Sequence, residues 1–186
     1  MNYFDHFNNG FTYDDFLAKY GSDDHRGRWA ALHDRVQRSD AQRALLSSFR
    51  REMKVLVMAG AWCGDCVEQC PIFDHFAAAS DKIQIRFVDR DDCGDLKESL
   101  VVCGAPRVPQ VVFLSEDNHF VAHAGDRTLS KYRDMAAKLD GAACPSGLIG
   151  PNDALLADVV QDWLDEFQRV QLILRTSGRL REKHGD

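Results

Sequence analysis

The chain has 186 residues, of which 45% are hydrophobic and 28% charged, and its formal net charge is −6 at pH 7. This composition indicates one globular domain over residues 1–186 and excludes disordered and fibrous proteins. The negative charge disfavours nucleic-acid binding, and the sequence shows no signal-peptide pattern and no run of about 18 apolar residues. We therefore expect a cytoplasmic protein whose partners include neither nucleic acid nor membrane.

A helical arm is predicted for residues 1–39. The segment "TYDDFLAKY" (12–20) is typical of a short helix that Thr12 caps, with acidic residues in its first turn. Apolar residues at helical spacing indicate a second helix from about Asp24, and a third follows from about Asp40. This third helix is expected to bury Leu45, Leu46 and Phe49.

The middle of the chain has a β-α-β-α-β-β-α pattern. Short apolar or alternating runs predict strands, whereas "CVEQCPIFDHFAAAS" and "LSKYRDMAAKL" have helical periodicity. The predicted strands are 54–60, 83–89, 110–114 and 119–125. The first two are joined through a helix and are therefore expected to be parallel, and the last two flank "SEDN" as an antiparallel pair.

After the loop "DGAACPSGLIGPND", which contains Cys144, a long helix is predicted over about 152–176 with Asn152 as its cap. Its expected role is to cover the domain, with dimerisation or partner docking as the alternative. The short basic segment "RTSGRLREK" near the end is interpreted as a solvated terminus.

Three cysteines, Cys63, Cys66 and Cys70, occupy eight positions where the first strand meets the following helix. In a reducing compartment such cysteines are thiols, metal ligands or a catalytic couple rather than structural disulfides. At a helix N-terminus, unpaired N–H groups stabilise a thiolate, and a second thiol one turn later lies within bonding reach. Cys63 is then the nucleophile and Cys66 the resolving thiol, whereas Cys70 is more simply a small buried residue than a third redox thiol.

A metal site is the alternative use of these cysteines. It would need a fourth ligand, which could be Cys93, Cys103 or a histidine. The sequence has no second Cys-x-x-Cys and no close histidine pair. If "GDLKESLVV" is helical, Cys93 and Cys103 lie about 15 Å apart, too far for a disulfide.

The motif "AWCGDC" follows a strand, Pro71 comes five residues after Cys66, and "RVPQVVFL" places Pro109 43 residues after Cys66. Gly125 follows 16 residues later. This pattern resembles the thioredoxin family, whose motif is Trp-Cys-Gly-Pro-Cys, over residues from about 40 to 140. The resemblance implies an α/β thioredoxin fold, a mixed sheet flanked by helices, with an N-terminal helical extension and a long C-terminal helix.

The same resemblance implies roles for further residues. Val108-Pro109 would be a cis peptide that presents the Val108 backbone beside Cys63 to an extended substrate, with Gly125 next to the site. Trp62 would form part of the docking surface.

The sequence also departs from the family at four positions. The family's buried acid is Val57 here, and its lysine neighbour aligns near Phe87, which leaves the proton relay unassigned. Asp65 replaces the motif's proline, and its charge is expected to raise the pKa of Cys63. Gln110 replaces the threonine that usually follows the cis-proline.

The sequence thus predicts a thiol–disulfide oxidoreductase that uses Cys63 and Cys66 without cofactor or metal. Its substrate would be a disulfide-containing protein or a small thiol compound, and a reductase or small thiol would supply electrons. The alternative is a thioredoxin-like adaptor with weak redox activity, in which the long last helix docks a partner.

Overall fold

A computed structural model describes residues 2–139 and 151–186. Most of the predicted Gly/Pro loop, including Cys144, lies outside the described residues. None of the helices within the described ranges is long and apolar enough to cross a membrane.

The centre of the molecule is a four-stranded sheet in the order β2-β1-β3-β4. The first two strands are parallel, and both β1–β3 and β3–β4 are antiparallel, as the connections predict. The strand bounds are β1 Met53–Ala59, β2 Ile83–Asp89, β3 Gln110–Ser115 and β4 Phe120–Gly125. Every position of β3 and all but one of β1 are buried, because helices cover both faces of the central strands.

The N-terminal arm contains three helices and a fourth leads into β1: α1 Tyr3–Asn8, α2 Tyr13–Tyr20, α3 Asp23–His33 and α4 Asp40–Ser47. Thr12 caps α2 as predicted, because its side chain accepts from the Asp15 N–H. The helix α1 was not expected from the sequence. Between these two helices, Phe11 exchanges two backbone hydrogen bonds of 2.8 Å with Phe87 on the edge strand β2. The arm is therefore joined to the sheet by backbone as well as by aromatic packing.

Two details of α4 differ from the prediction. Leu45 is only half-buried, and Phe49 is buried although it lies beyond the last helical residue, Ser47. Ser48 is the C-cap residue of this helix, and its hydroxyl donates to the Leu45 carbonyl. Phe49 therefore reaches the core from the connection to β1.

The remaining helices are α5 Gly64–Ala79, α6 Asp95–Ser99, α7 Leu129–Leu139, α8 Asp153–Thr176 and α9 Gly178–His184. The element order predicted for the middle of the chain is thus confirmed, although α6 is shorter than the segment "GDLKESLVV". Asn152 caps α8 by accepting from the Leu155 N–H at 2.8 Å. One side of α8 packs into the core, where Phe167 makes edge-on contacts with Phe76 and Phe113.

The basic residues of the tail are exposed, as the interpretation of a solvated end implies, but the segment is also folded. Residues in it form α9, in which Leu180 is 1% exposed. Arg179 pairs with Asp117 and Lys183 with Glu116, both in the turn between β3 and β4. The buried Leu180 side chain and these two ion pairs attach α9 to the rest of the domain.

Candidate active site

Cys63 and Cys66 lie where β1 meets α5. Cys63 is the N-cap residue of α5 and half-buried, whereas Cys66, one turn into the helix, is fully buried. The Gly60 N–H lies 3.4 Å from the Cys66 sulfur and donates to it. Each of the two thiols affects the pKa of the other. One thiol is thus accessible, and the second lies directly behind it.

The backbone before β3 approaches the accessible thiol. The Val108–Pro109 peptide bond is cis, and the Cys63 sulfur lies 3.6 Å from the Val108 carbonyl oxygen. Val108 is buried, and its carbonyl oxygen faces the Cys63 thiol.

Gly125, at the end of β4, packs against the same segment. Its φ is +137°, a conformation that L side chains rarely adopt. An added Cβ would lie 2.5 Å from the Pro109 carbonyl oxygen. Both the conformation and the space therefore require glycine, which holds β4 close to the cis-proline.

Trp62 is 44% exposed beside Cys63. The Arg90 guanidinium carbon lies 4.5 Å from the centroid of its ring, a cation–π contact that holds the indole in place. Arg90 also pairs with Asp91 through two hydrogen bonds, of 3.1 and 2.8 Å. The exposed aromatic surface next to the thiol is therefore bordered by an ion pair.

Asp65 does not carry the isolated charge that the sequence suggested. Arg127, two residues after Gly125, binds its carboxylate through two hydrogen bonds, one of 2.9 Å from Nε to Oδ1. Both side chains are largely buried, with exposures of 16% for Arg127 and 19% for Asp65. The ion pair thus links the cysteine motif to the loop after β4 and compensates the charge of Asp65.

Several groups raise the pKa of Cys63 above its ordinary value. The hydrogen bond with Cys66 is the strongest cause, burial is next and the charge of Cys66 follows, whereas Asp65 contributes least. The position at the N-terminus of α5 acts in the opposite direction, because the unpaired N–H groups favour a thiolate. Asp65 therefore raises the pKa of Cys63, as the sequence predicts, but the other causes raise it more.

Substitutions of Asp65 and of Arg127 should shift the pKa of Cys63 in opposite directions. Replacing Arg127 with Gln leaves Asp65 uncompensated and should raise the apparent pKa of Cys63. Asp65→Asn removes a negative charge near Cys63, while Arg127 keeps its contact with Asp126, and should lower this pKa. The double variant should lie near the wild type. Alkylation rate against pH, followed at the Cys63 peptide by mass spectrometry, measures all four proteins. Shifts of the same sign in both single variants would contradict the compensation.

Val57 and Phe87, the positions where the resemblance places an acid and a lysine, are direct neighbours in the register of β1 and β2. Both are buried, and Phe87 packs on the rings of Tyr13 and Phe16 from the N-terminal arm. An apolar pair therefore occupies the place of the family's charged pair. The arm covers it with aromatic rings.

Cys70 lies under this site and is fully buried. The pKa of Cys66 is raised, first of all by burial, and Cys70 raises it further. Cys93 is also buried, with its sulfur 3.3 Å from the Arg90 carbonyl oxygen, and Cys103 is exposed. Both are free thiols. Within residues 2–139 and 151–186, no three His, Cys, Asp or Glu side chains are grouped to hold a metal ion, so the metal alternative gains no support there.

A buried amide connects the site to the C-terminal helix. The Gln69 side chain is 2% exposed and donates to the backbone carbonyls of Asp65 and Asp126 at 3.2 and 3.0 Å. Its oxygen accepts from the Trp163 indole of α8 at 2.9 Å. All the hydrogen-bonding groups of this buried side chain are thus used.

Sequence reasoning missed Arg90, Asp126 and Arg127. The only signal was local: "GDR" places an acid and a base directly after Gly125, and Arg90 directly follows the second strand. The Asp126 carboxylate is 2% exposed and binds both Arg127, at 3.2 Å, and Arg107, at 3.4 Å. Arg127 and Asp126 are neighbours in the sequence, but Arg107 is 19 residues from Asp126 and Arg127 is 62 residues from Asp65, and neither of these two contacts has a spacing signature.

Comparison with known proteins agrees with this geometry. The sequence matches the thioredoxin family over residues 10–139, which include most of the N-terminal arm. No curated protein matches the sequence.

Two solved structures share the fold, both with a TM-score of 0.67. A protein of unknown function from Pseudomonas aeruginosa is 20% identical, and the alignment covers 94% of this chain and 98% of that one. An HIV epitope scaffold is 19% identical, with coverage of 90% and 99%. Identities this low show the fold alone, but the family match spans more than two thirds of the sequence. The chain belongs to the thioredoxin family.

Proposed function

We propose that the protein is a thiol–disulfide oxidoreductase in which Cys63 and Cys66 are the dithiol couple. The observation that carries the proposal is the position of the Cys63 sulfur, which is half-buried at a helix N-cap and 3.6 Å from the Val108 carbonyl, with the buried Cys66 one turn further along the same helix. An extended substrate that pairs with the Val108 backbone would bring its disulfide to Cys63, with Trp62 and Gly125 beside it.

The exchange proceeds in two steps. The Cys63 thiolate attacks one sulfur of the substrate disulfide, so that a mixed disulfide forms and the other substrate sulfur leaves as a thiolate, which takes a proton. Cys66 then loses its proton and attacks the Cys63 sulfur, which releases the second substrate thiol and leaves a Cys63–Cys66 disulfide. A cellular reductase or a small thiol returns two electrons and two protons. The substrate is a disulfide-containing protein or small molecule, and the reaction fits a reducing compartment such as the cytoplasm.

A second candidate is an adaptor with weak redox activity, and one observation favours it. The Val57–Phe87 pair is apolar, so the family's buried acid does not assist deprotonation of Cys66. An adaptor would keep the fold as a binding platform and would not need that step.

The reduction potential of the Cys63/Cys66 pair distinguishes the two candidates. In a series of glutathione buffers, the oxidoreductase should show a reversible two-electron transition, measured by the fraction of the two cysteines that resists alkylation. A Cys63→Ser/Cys66→Ser variant is the matched control and should show no such transition. A wild-type protein that behaves like this control would favour the adaptor.

A further inference from the structure

Each of the three loops around Cys63 carries one arginine. Arg90 follows β2 and lies over the Trp62 ring, Arg107 precedes Val108, and Arg127 follows Gly125. The same part of the structure also carries Asp65, Asp91 and Asp126, so what each arginine can offer a substrate depends on its pairing and exposure.

Two of these arginines are engaged by acids of the site. Arg127 is 16% exposed and binds Asp65 and Asp126. Arg90 is 23% exposed and binds Asp91 side by side. Their charges are largely compensated before a substrate arrives.

Arg107 differs in what it presents to solvent. Its side chain is 43% exposed, whereas the acid that it contacts, Asp126, is 2% exposed. The contact is 3.4 Å long, and Asp126 also binds Arg127 and the Tyr132 hydroxyl. The acid is thus buried and shared while the guanidinium reaches solvent. The Arg107 guanidinium can therefore still donate N–H groups to a bound molecule, in the planar arrangement that suits a carboxylate.

Arg107 is adjacent to the backbone segment that would pair with an extended substrate. It comes directly before Val108, whose carbonyl lies 3.6 Å from the Cys63 sulfur. A peptide paired with this segment would place the residues next to its cysteine near Arg107, because neighbouring residues of paired extended chains lie side by side.

We infer that Arg107 determines specificity and that the preferred substrate is an extended peptide with an acidic side chain within two residues of its disulfide-bonded cysteine. This inference rests on the proposed oxidoreductase function. Exposed ion pairs contribute modestly, about 0.2–1 kcal/mol, so the preference of acidic over neutral peptide should be up to about fivefold in kcat/KM.

The test compares three disulfide peptides that differ only in Glu, Gln or Lys beside the reactive cysteine. The wild type should reduce them in the order Glu, Gln, Lys, and added salt should weaken the preference because it screens exposed charges. The ratio of the Glu to the Lys peptide should fall towards one in Arg107→Gln and largely survive in Arg107→Lys. Arg175→Gln removes the same charge from an exposed position of α8 and should keep the wild-type ratio.

The outcomes separate the inference from the function on which it rests. Equal rates with all three peptides in the wild type, or an unchanged ratio in Arg107→Gln, would overturn the role of Arg107 while disulfide reduction itself stands. Failure to reduce any of the peptides would refute the proposed function, and the inference with it.

Discussion

Replacing Cys63 with Ser is expected to abolish reduction of insulin disulfides. Of the two thiols in the motif, Cys63 is the accessible one, and a serine hydroxyl at the same N-cap does not ionise near neutral pH and cannot form a mixed disulfide. Because serine is a favourable N-cap residue, the helix α5 should keep its start. The loss should therefore affect turnover and leave the thermal unfolding temperature nearly unchanged.

The partner substitution, Cys66→Ser, should have a different effect. The first attack still occurs, but the buried thiol that would release the substrate is missing, so mixed disulfides at Cys63 should accumulate. Mass spectrometry of the protein after reaction with a disulfide peptide detects them as an added mass. Cys103→Ser, at an exposed thiol away from the motif, is the control and should react as the wild type does. Disulfide reduction that persists in Cys63→Ser would remove the basis for the assignment.

Replacing Phe167 with Ala should lower the free energy of unfolding by about 3–5 kcal/mol, the range for deletion of a buried aromatic ring. Phe167 is fully buried and touches the rings of Phe73, Phe76 and Phe113, which belong to α5 and β3. The helix α8 contributes this ring, so the loss measures how much the C-terminal segment stabilises the core.

Leu172→Ala on the same helix is the matched control for this prediction. Leu172 is 49% exposed, and its truncation should cost well under half as much. Urea unfolding followed by tryptophan fluorescence and by circular dichroism gives both values. If the two variants lose similar stability, α8 is not part of the core that its packing indicates.

The sequence was sufficient for the sheet and for the cysteine motif, because the relevant signals are local. Alternation and apolar runs mark the strands to within a residue or two, and Thr12 and Asn152 mark the helix starts through their caps. Pro109 and Gly125 lie far from the motif in the sequence and were identified through the resemblance to the thioredoxin family, in which their spacing from the motif is characteristic.

The electrostatics of the site could not be predicted in the same way. Asp65 was recognised as a charge, but its partner Arg127 lies 62 residues later, and only the fold brings the two together. The helix α9 was missed for a similar reason, since Arg179 and Asp117 are also 62 residues apart. Long-range ion pairs leave no periodicity in the sequence. A charged residue can therefore be identified from the sequence, but the distant residue that pairs with it cannot.

The buried Gln69 amide has a consequence for how the molecule opens. Its hydrogen bonds span the first turn of α5, the loop after β4 and Trp163 of α8. If α8 detached, water would replace the Trp163 indole at the Gln69 oxygen, so this hydrogen bond contributes about 0.5–1.5 kcal/mol to holding the helix in place. Because the same amide also binds the first turn of α5, we expect the redox motif and the C-terminal helix to open together rather than separately.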